Sequence, residues 1–297
     1  MKSGFVSIVG KTNVGKSSII NSLVGEKIAA TANRPQTTRT SIKAIVNTET
    51  AQIVFIDTPG LHKPKTKLGD VMIKTSLMSI NDVDLVVLVV ESTAKELDEQ
   101  EKMILENIRK SKKKTILVIN KMDLAKEGEY ENTVNLYKKE CEFISIIPTI
   151  SNKKEDIDKL LKEIENNLEE GPIYYNKDEY TDQTMQQLVE EIIREKALRL
   201  LRDEVPHGIL VEVNKMKKRK TLKDEPIFNI DVTIYCERES HKGIIIGKGG
   251  EMLKKINTYA REDLEKMLGT KINLQVWVKV KKDWLNNDAF IKKFKMQ

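Results

Sequence analysis

The stretch Gly10-Lys11-Thr12-Asn13-Val14-Gly15-Lys16-Ser17 decides the fold of the first half of the chain. It fits the pattern G-x-x-x-x-G-K-[ST], with a predicted strand before it (Phe5 to Val9) and a predicted helix after it. In such a loop the backbone N–H groups and the helix N-terminus face a pyrophosphate. Lys16 would neutralise the β and γ oxygens, and Ser17 would offer a hydroxyl to Mg²⁺. The stretch therefore predicts a site for a nucleoside triphosphate, the alternative being a plain glycine turn.

The length and charge of the chain predict two domains with different partners. At 297 residues it can form two cores, and 39% hydrophobic and 32% charged residues predict a soluble globular protein. The net charge is +6, of which residues 1–170 carry +1 and residues 171–297 carry +5. A basic second half predicts an anionic partner there, either nucleic acid or a membrane surface.

The cysteines and the apolar runs indicate the cellular compartment of the protein. Cys141 and Cys236 lie in different halves without metal-ligand spacing, which predicts packed thiols in a reducing cytosol. No signal peptide precedes the first strand, and the apolar run from Leu85 to Val90 is too short to span a bilayer. We expect a cytoplasmic protein, with peripheral contact to the cytoplasmic side of the cell membrane left open.

A second motif follows about forty residues after the phosphate-binding pattern. Asp57-Thr58-Pro59-Gly60 comes at the end of a predicted strand, Ile53 to Ile56. A carboxylate there can reach the coordination shell of Mg²⁺, and the Gly60 N–H can contact a γ-phosphate. The D-x-x-G tetrapeptide is weak evidence by itself and strong evidence after the first motif.

Two further motifs indicate which base is bound. Asn120-Lys121-Met122-Asp123 follows a predicted strand, Thr115 to Ile119. The Asp123 carboxylate would accept hydrogen bonds from N1–H and the exocyclic amine of guanine, whereas adenine presents the opposite pattern. Ser151-Asn152-Lys153 follows the last predicted strand, Phe143 to Ile147, and would contact guanine O6 through backbone N–H. This is the weakest of the motifs.

The order of elements predicts the fold of each half. Strands alternate with helices in the first half, which predicts a doubly wound α/β domain with the ligand loops at the carboxyl ends of the strands. The second half predicts the order α-β-β-α-α-β, with a basic turn at Lys215 and Lys217–Lys220. Its last helix is expected to turn Met252, Ile256, Tyr259 and Leu264 inward.

A glycine-rich loop lies between the last two predicted helices. Gly247-Lys248-Gly249-Gly250 fits G-x-x-G, the loop of KH domains, which clamps about four nucleotides of single-stranded backbone. Glycines let phosphates approach the main chain, and Lys248 supplies positive charge. A glycine turn that starts a helix is the alternative, because G-x-x-G alone is common.

With these residues in hand, the chain resembles the Era family of bacterial GTPases, which carry a C-terminal type II KH domain. The resemblance runs from Phe5 to about Lys282, and further segments that match it are Gln36-Thr37-Thr38-Arg39, Asp57 to His62, Arg194-Glu195-Lys196 and Ile244 to Gly250. It implies an α/β P-loop GTPase domain followed by an α+β type II KH domain. It also implies hydrolysis of GTP to GDP with Mg²⁺, binding of 16S rRNA near its 3′ end, a role in 30S subunit maturation, and partial association with the inner membrane face.

The resemblance also implies roles for individual residues. The residues with expected catalytic roles are Lys16, Thr38, Asp57 and Gly60, and those expected at Mg²⁺ are Ser17, Thr38 (with Thr37 as the fallback) and Asp57. Expected around GTP or GDP are residues 10–17 with Ser18, Asp57, Thr58, Pro59, Gly60, Leu61, Asn120, Lys121, Asp123, Leu124, Ser151, Asn152 and Lys153. Asn13 is a candidate ligand for K⁺, and Gly247, Lys248, Gly249 and Gly250 are expected at RNA.

This chain departs from the patterns of related GTPases at a few positions. Leu61 stands where Ras-like GTPases carry the glutamine that orients water, so slow intrinsic hydrolysis is expected, and His62 is read as a loop residue rather than a base. The family usually has proline in place of Thr12 and alanine in place of Asn152. Neither change removes a phosphate or base contact.

The predicted organisation is a G domain over residues 1–170, a linker over 171–182, a KH domain over 183–282 and a tail over 283–297, in a chain expected to act as a monomer. Two other functions stay open. One is an RNA-binding assembly factor in which GTP is a structural ligand. The other is a membrane-recruited signalling GTPase whose basic half binds anionic lipid.

Overall fold

The computed structural model describes residues 1–31, 38–39, 41–61, 63–64, 66–220 and 225–295. Two compact units divide the chain, the first ending at Asp182 and the second beginning at Gln183. No helix in the described residues has the length and apolar character needed to cross a membrane.

The first unit is built on a six-stranded sheet, whose strands are β1 (Lys2–Val9), β2 (Ile42–Asn47), β3 (Ala51–Asp57), β4 (Leu85–Glu91), β5 (Lys114–Asn120) and β6 (Ser145–Pro148). The strand order is β2-β3-β1-β4-β5-β6, and in it only β2 runs antiparallel to its neighbour. Its helices are α1 (Lys16–Val24), α2 (Lys67–Met78), α3 (Glu99–Ser111), α4 (Glu129–Lys138) and α5 (Lys154–Asn167). The doubly wound α/β fold is confirmed.

Local sequence explains the main elements of this unit. β4 reads LVVLVVE and is buried on both faces, as a central parallel strand covered by helices must be. α3 begins at a capping box in which the Asp98 side chain accepts from the N–H of Glu101 and Glu101 returns a bond to the N–H of Asp98. α5 places Ile157, Leu160 and Ile164 on its buried stripe. α4 was not predicted, because its charged sequence has only a short apolar stripe.

The parallel arrangement places the sequence motifs at one edge of the sheet. Gly10 follows β1, Thr58 follows β3, Lys121 follows β5 and Thr149 follows β6. The carboxyl ends of parallel strands meet at the same edge, which is where doubly wound sheets bind ligands. The fold therefore brings motifs that are more than a hundred residues apart to one site.

The segment 171–182 packs along the sheet of the first unit. The N–H groups of Tyr174 and Tyr175 donate to Gln52 Oε1 at 2.7 and 3.0 Å, and the Ile45 N–H donates to the Tyr180 carbonyl at 3.0 Å. Thr181 forms an isolated antiparallel bridge with Ala44. The segment thereby pairs with the outer edge of β2.

The second unit is a three-stranded sheet packed against helices. Its elements are α6 (Met185–Leu200), β7 (Leu210–Lys220), β8 (Pro226–Cys236), α7 (Glu239–Ile246), α8 (Glu251–Leu268), β9 (Lys271–Val280) and α9 (Asp288–Lys295). The strand order is β7-β8-β9, with β7 antiparallel and β9 parallel to β8. The order from α6 to β9 is the α-β-β-α-α-β order expected of a type II KH domain. Trp284 is buried beyond β9, and its Nε1 donates to the Gly208 carbonyl at 3.0 Å.

Two expectations for the second unit are wrong. Lys215 and Lys217–Lys220 are not a turn, because β7 continues to Lys220 in register with Pro226 to Asp231 of β8. Tyr259 does not point inward and is 47% exposed, because the buried stripe of α8 runs through Ile256, Ala260 and Leu264 at intervals of four residues.

Candidate functional site

Lys16 is held at the start of α1 in a fully enclosed position. Its Nζ donates to the carbonyls of Gly10 and Lys11 at 3.1 and 2.7 Å. Burial lowers the pKa of Lys16 to about 8, and the carboxylate of Asp57 opposes that shift only in part. The ammonium is therefore fixed inside the loop, at the first turn of a helix whose N–H groups point into the same space.

The proton on Lys16 makes nucleotide binding depend on pH. Phosphate oxygens beside Nζ favour the charged form, so binding restores protonation and takes up a proton when the pH is near or above about 8. Above the pH range in which the terminal phosphate of GDP itself titrates (second pKa about 6), affinity for GDP should fall as the pH rises through about 8. Calorimetry at pH 8 in buffers of different ionisation enthalpy should give about half a proton taken up by Lys16, against much less at pH 7. Equal uptake at the two pH values would contradict this account of Lys16.

At two positions of the phosphate-binding loop, any side chain would collide with a neighbouring element, so the residue has to be glycine. Gly15 has φ +103°, and a Cβ on it would collide with Asn120 Nδ2. Gly10 has φ +152°, and a Cβ there would collide with the Val89 carbonyl. Asn120 Nδ2 in turn donates to the Val14 carbonyl at 2.8 Å, so the motif after β5 supports the loop after β1.

The residues expected at Mg²⁺ come together where the start of α1 meets the end of β3. The Ser17 hydroxyl lies 2.9 Å from Thr38 Oγ1 and donates to Asp57 Oδ2 at 3.0 Å, and Thr38 Oγ1 lies 3.2 Å from the same oxygen. Two hydroxyls and a carboxylate are hard oxygen donors of the kind that suits Mg²⁺ in a phosphate site. The donor set therefore fits the ion. Thr37, the fallback, lies outside the described residues.

The segment after β3 is bound to the phosphate loop. The Thr12 N–H donates to the Leu61 carbonyl at 3.3 Å, and the Leu61 N–H donates to the Gly10 carbonyl at 3.2 Å. A Cβ on Gly60 would lie 2.7 Å from Thr12 Cα and 2.9 Å from Lys16 Nζ, so this approach needs glycine. The Leu61 side chain is 2% exposed inside an apolar cluster, which removes it from any contact with water. His62 lies outside the described residues.

The motifs after β5 and β6 form one pocket. Its lining residues are Ser18, Ser22, Asn120, Lys121, Asp123, Leu124, Ile150, Ser151 and Asn152. The pocket brings together seven residues expected around the nucleotide, whereas Lys153 is not part of its lining. Ser22 was missed by sequence reasoning: its hydroxyl donates to the Ser151 carbonyl at 2.6 Å and holds the weakest motif against α1. A serine inside a helix gives no signal of such a role.

Lys11 is directed away from the phosphate site. Its Nζ pairs with Asp98 at 2.7 Å and with Glu101 at 3.6 Å at the start of α3. Burial lowers the pKa of Lys11, but these carboxylates outweigh it and hold the pKa above its usual value. Lys11 therefore leaves only its backbone for a nucleotide.

The G-x-x-G loop joins α7 to α8 by a single turn. Gly247 has φ +74°, and a Cβ on it would lie 2.8 Å from that of Met252. Gly249 and Gly250 also have positive φ, but a Cβ on either would meet nothing within 4 Å. Lys248, between Gly247 and Gly249, is exposed. The glycines thus leave the main chain of the turn open to a ligand.

A groove continues from this loop between α8 and the edge strand β9. Its lining includes Gly250, Leu253, Lys254, Asn257, Arg261 and Leu274. Sequence reasoning found only the glycine of this set. Lys254 and Arg261 look like ordinary solvated charges of an amphipathic helix, because nothing in the pattern shows that β9 runs beside them.

Comparison with known proteins shows the same two parts. A family model described as a 50S ribosome-binding GTPase matches residues 5–121, and a KH domain model matches residues 204–285. GTPase Era of Clostridioides difficile is 48% identical over 99% of this chain and 98% of its own length. The chain belongs to the GTPase Era family. Era of Clostridium kluyveri is 46% identical over 98% of both chains.

Solved Era structures extend the likeness to the whole fold. One is the structure of Era in complex with MgGDPNP and nucleotides 1506–1542 of 16S ribosomal RNA. It is 37% identical to this chain, has a TM-score of 0.91, and the match covers 99% of this chain and 98% of that one. A variant of Aquifex aeolicus Era bound to GDP.AlF4⁻ is 35% identical, with a TM-score of 0.92 and 99% of both chains covered.

Proposed function

We propose that this chain is a Mg²⁺-dependent GTPase that binds 16S rRNA through its KH unit and acts in the assembly and maturation of the 30S ribosomal subunit. The convergence of Lys16, Ser17 and Asp57 in one loop cluster, with Asp123 in the adjoining pocket, carries the proposal. The Era relative solved with MgGDPNP and a segment of 16S ribosomal RNA supports the pairing of the two ligands. The 50S description belongs to a model that covers residues 5–121 alone, so the choice of the 30S subunit rests on the relative solved with 16S ribosomal RNA.

Phosphoryl transfer requires mainly that the protein position the phosphates and stabilise their negative charge. Lys16 and the backbone N–H groups of residues 10–17 hold the β- and γ-phosphates, and the Gly60 N–H contacts the γ-phosphate. Ser17, Thr38 and Asp57 would hold Mg²⁺, and the ion would neutralise charge on the phosphate oxygens. Asp123 accepts from the guanine edge and gives the site its base preference.

Nothing in the Leu61 side chain can orient the attacking water, because it is buried among apolar side chains. Backbone groups of the same segment or a bound partner must hold the water instead. We therefore expect slow hydrolysis by the chain alone.

Multiple-turnover hydrolysis of GTP tests the enzymatic part. Lys16→Ala should lower the rate by about a hundredfold or more, since it removes a charge aimed at the transferred phosphate. Lys11→Ala is the matched control, because Lys11 is the neighbouring lysine whose side chain pairs with Asp98 instead. A thermal melt of each variant shows that it is folded. Wild type that binds GTP but performs no more than one turnover would favour the rival in which GTP is a structural ligand.

Potassium should stimulate hydrolysis. Asn13, with φ +67°, lies in the loop beside the segment that carries Leu61, and a bound K⁺ would supply the charge that an arginine finger gives elsewhere. We expect the rate in KCl to exceed the rate in NaCl at equal ionic strength, and Asn13→Ala to remove the difference. Equal rates for the wild type in the two salts would rule out this role for Asn13.

We assign the RNA to the groove between α8 and β9, with phosphates at the G-x-x-G turn. The turn offers open main chain and carries Lys248, and Lys254 and Arg261 add positive charge along the groove that continues from it. We place the protein in the cytoplasm as a monomer, with any membrane contact peripheral.

A further inference from the structure

Two backbone N–H groups contact the nucleotide from opposite ends in the proposed function. The Gly60 N–H contacts the γ-phosphate, and the Asn152 N–H contacts O6 of guanine. Each N–H belongs to the peptide that begins at the preceding carbonyl, of Pro59 or of Ser151, and both peptides are trans. The C=O and N–H of a trans peptide point in opposite directions, so a group that holds the carbonyl also sets the direction of the N–H.

The peptide at the γ-phosphate end lies between two fixed neighbours. Before it, the Thr58 hydroxyl donates to the Ile8 carbonyl at 2.8 Å. After it, the Leu61 N–H donates to the Gly10 carbonyl at 3.2 Å. The Pro59–Gly60 peptide between them has two accessible orientations, because type I and type II turns differ by reversal of their central peptide and both accept proline there. Its direction therefore depends on a further contact.

Ser76 of α2 supplies that contact. It is fully buried, and its Oγ donates to the Pro59 carbonyl at 2.6 Å and lies 2.9 Å from the Met72 carbonyl. A helical serine commonly bonds the carbonyl four residues earlier, which here is Met72. The hydroxyl has one proton, and the shorter distance assigns it to Pro59. The carbonyl therefore faces α2, and the Gly60 N–H points away from α2.

The peptide at the base end is held in the same way. The Lys153 N–H donates to the Ile150 carbonyl at 2.8 Å and closes a turn whose central peptide joins Ser151 to Asn152. Asparagine tolerates the left-handed conformation that the reversed peptide requires, whereas alanine, the usual residue of the family, does not. The Ser22 hydroxyl of α1 donates to the Ser151 carbonyl at 2.6 Å, so the Asn152 N–H points the other way.

We propose that Ser76 and Ser22 are positioning residues of the GTPase site, each acting through one peptide. The Ser76 hydroxyl points the Gly60 N–H at the γ-phosphate, and this contact favours GTP over GDP because only GTP carries that group. The Ser22 hydroxyl points the Asn152 N–H at guanine O6, which both nucleotides share. This rests on the proposed function. It makes the two serines separable, because one acts on the phosphate end and the other on the base end.

A neighbouring serine provides the control for a purely structural role. Ser79 follows the last residue of α2, and its hydroxyl donates to the Ser76 carbonyl at 2.7 Å. It also lies 2.8 Å from the Ser7 hydroxyl of β1, so it ties the end of α2 to the sheet. Ser79→Ala removes a hydroxyl from the same helix without removing the bond to the Pro59 carbonyl.

The phosphate test titrates GDP and the non-hydrolysable analogue GDPNP, each with Mg²⁺, into the full-length protein. Ser76→Ala should lower the affinity for GDPNP by about fivefold or more and leave the affinity for GDP within about twofold. Single-turnover hydrolysis at saturating GTP should slow by about tenfold, because a contact to the transferred phosphate strengthens in the transition state. Ser79→Ala should match wild type in both measurements. A thermal melt of each variant shows that it is folded.

The base test uses the same two nucleotides and Ser22. Ser22→Ala should weaken GDP and GDPNP by the same factor, about threefold, because the base is common to both. The factor is smaller than for Ser76 because Ser22 is exposed, and water takes the place of its hydroxyl at the carbonyl. Ser22→Thr keeps the hydroxyl at an exposed position with room for a methyl group, so it should retain wild-type affinity for both nucleotides.

The outcomes separate this proposal from the proposed function. If wild type binds neither GDP nor GDPNP, the proposed function fails. If wild type binds both and Ser76→Ala keeps the wild-type ratio of the two affinities, Ser76 does not position the Gly60 N–H. Equal losses in Ser76→Ala and Ser79→Ala would also overturn its role, because both serines would then only anchor α2. For Ser22→Ala, unchanged affinities or a changed ratio of GDPNP to GDP affinity would overturn the role at the base.

Discussion

Asp123→Asn should lower the affinity for GTP by at least about tenfold and create affinity for xanthosine triphosphate. The carboxylate can accept from N1–H and from the exocyclic amine of guanine, whereas an amide turned to the base can donate where xanthine carries a carbonyl. A hydrogen bond to a charged group is worth about 1.5–3 kcal/mol, so the loss of one such bond is enough for the tenfold effect. Asp123 lies exposed in the pocket beside Lys121 and Leu124, so the change should leave the fold intact.

Titration of both nucleotides into both proteins measures this exchange. Glu127→Gln is the matched control, since it removes an exposed carboxylate four residues away that does not line the pocket. A variant that keeps wild-type affinity for GTP would remove Asp123 from the recognition of the base.

Gly249→Asp should abolish RNA binding and leave the nucleotide site unchanged. Gly249 has φ +59° and ψ +17°, a conformation that aspartate tolerates, and a Cβ there meets nothing within 4 Å. The variant should therefore fold, and its effect should come from a side chain and a negative charge placed where phosphate approaches the backbone. Affinity for GTP should stay within about twofold, because the two units have separate cores.

The chain offers a close control for this substitution. Gly269 ends α8 with φ +60° and ψ +23°, and a Cβ on it also meets open space. Gly269→Asp adds the same charge in the same backbone conformation at the far end of the helix. Titrations of labelled RNA should show binding that weakens as salt rises for wild type and Gly269→Asp, and none for Gly249→Asp. Full RNA affinity in Gly249→Asp would mean that this loop is not the RNA clamp.

The sequence predicts the nucleotide site well because main-chain geometry dictates its residues. Gly15 has to be glycine where it meets Asn120, and Asp57 and Ser17 have to be close because β1 and β3 are parallel neighbours. Such requirements appear in the sequence as fixed patterns. The doubly wound fold follows from the alternation of buried strands and amphipathic helices around those patterns.

The rest of the site depends on tertiary neighbours that leave no local pattern. Ser22 acts through a carbonyl on another element, and Arg261 belongs to the groove only because β9 runs beside α8. The basic segment from Lys215 to Lys220 looks like a turn by composition, because lysines rarely favour strands. Pairing with β8 overrides that preference and turns the segment into part of a charged sheet face.

Crosslinking of the full-length protein to RNA in cells, followed by sequencing of the bound fragments, shows directly whether the KH unit binds 16S rRNA. Reads should concentrate near the 3′ end of 16S rRNA in wild type, persist in Gly269→Asp and disappear in Gly249→Asp. Reads spread over unrelated RNAs, or a 16S signal that survives Gly249→Asp, would exclude this function of the KH unit.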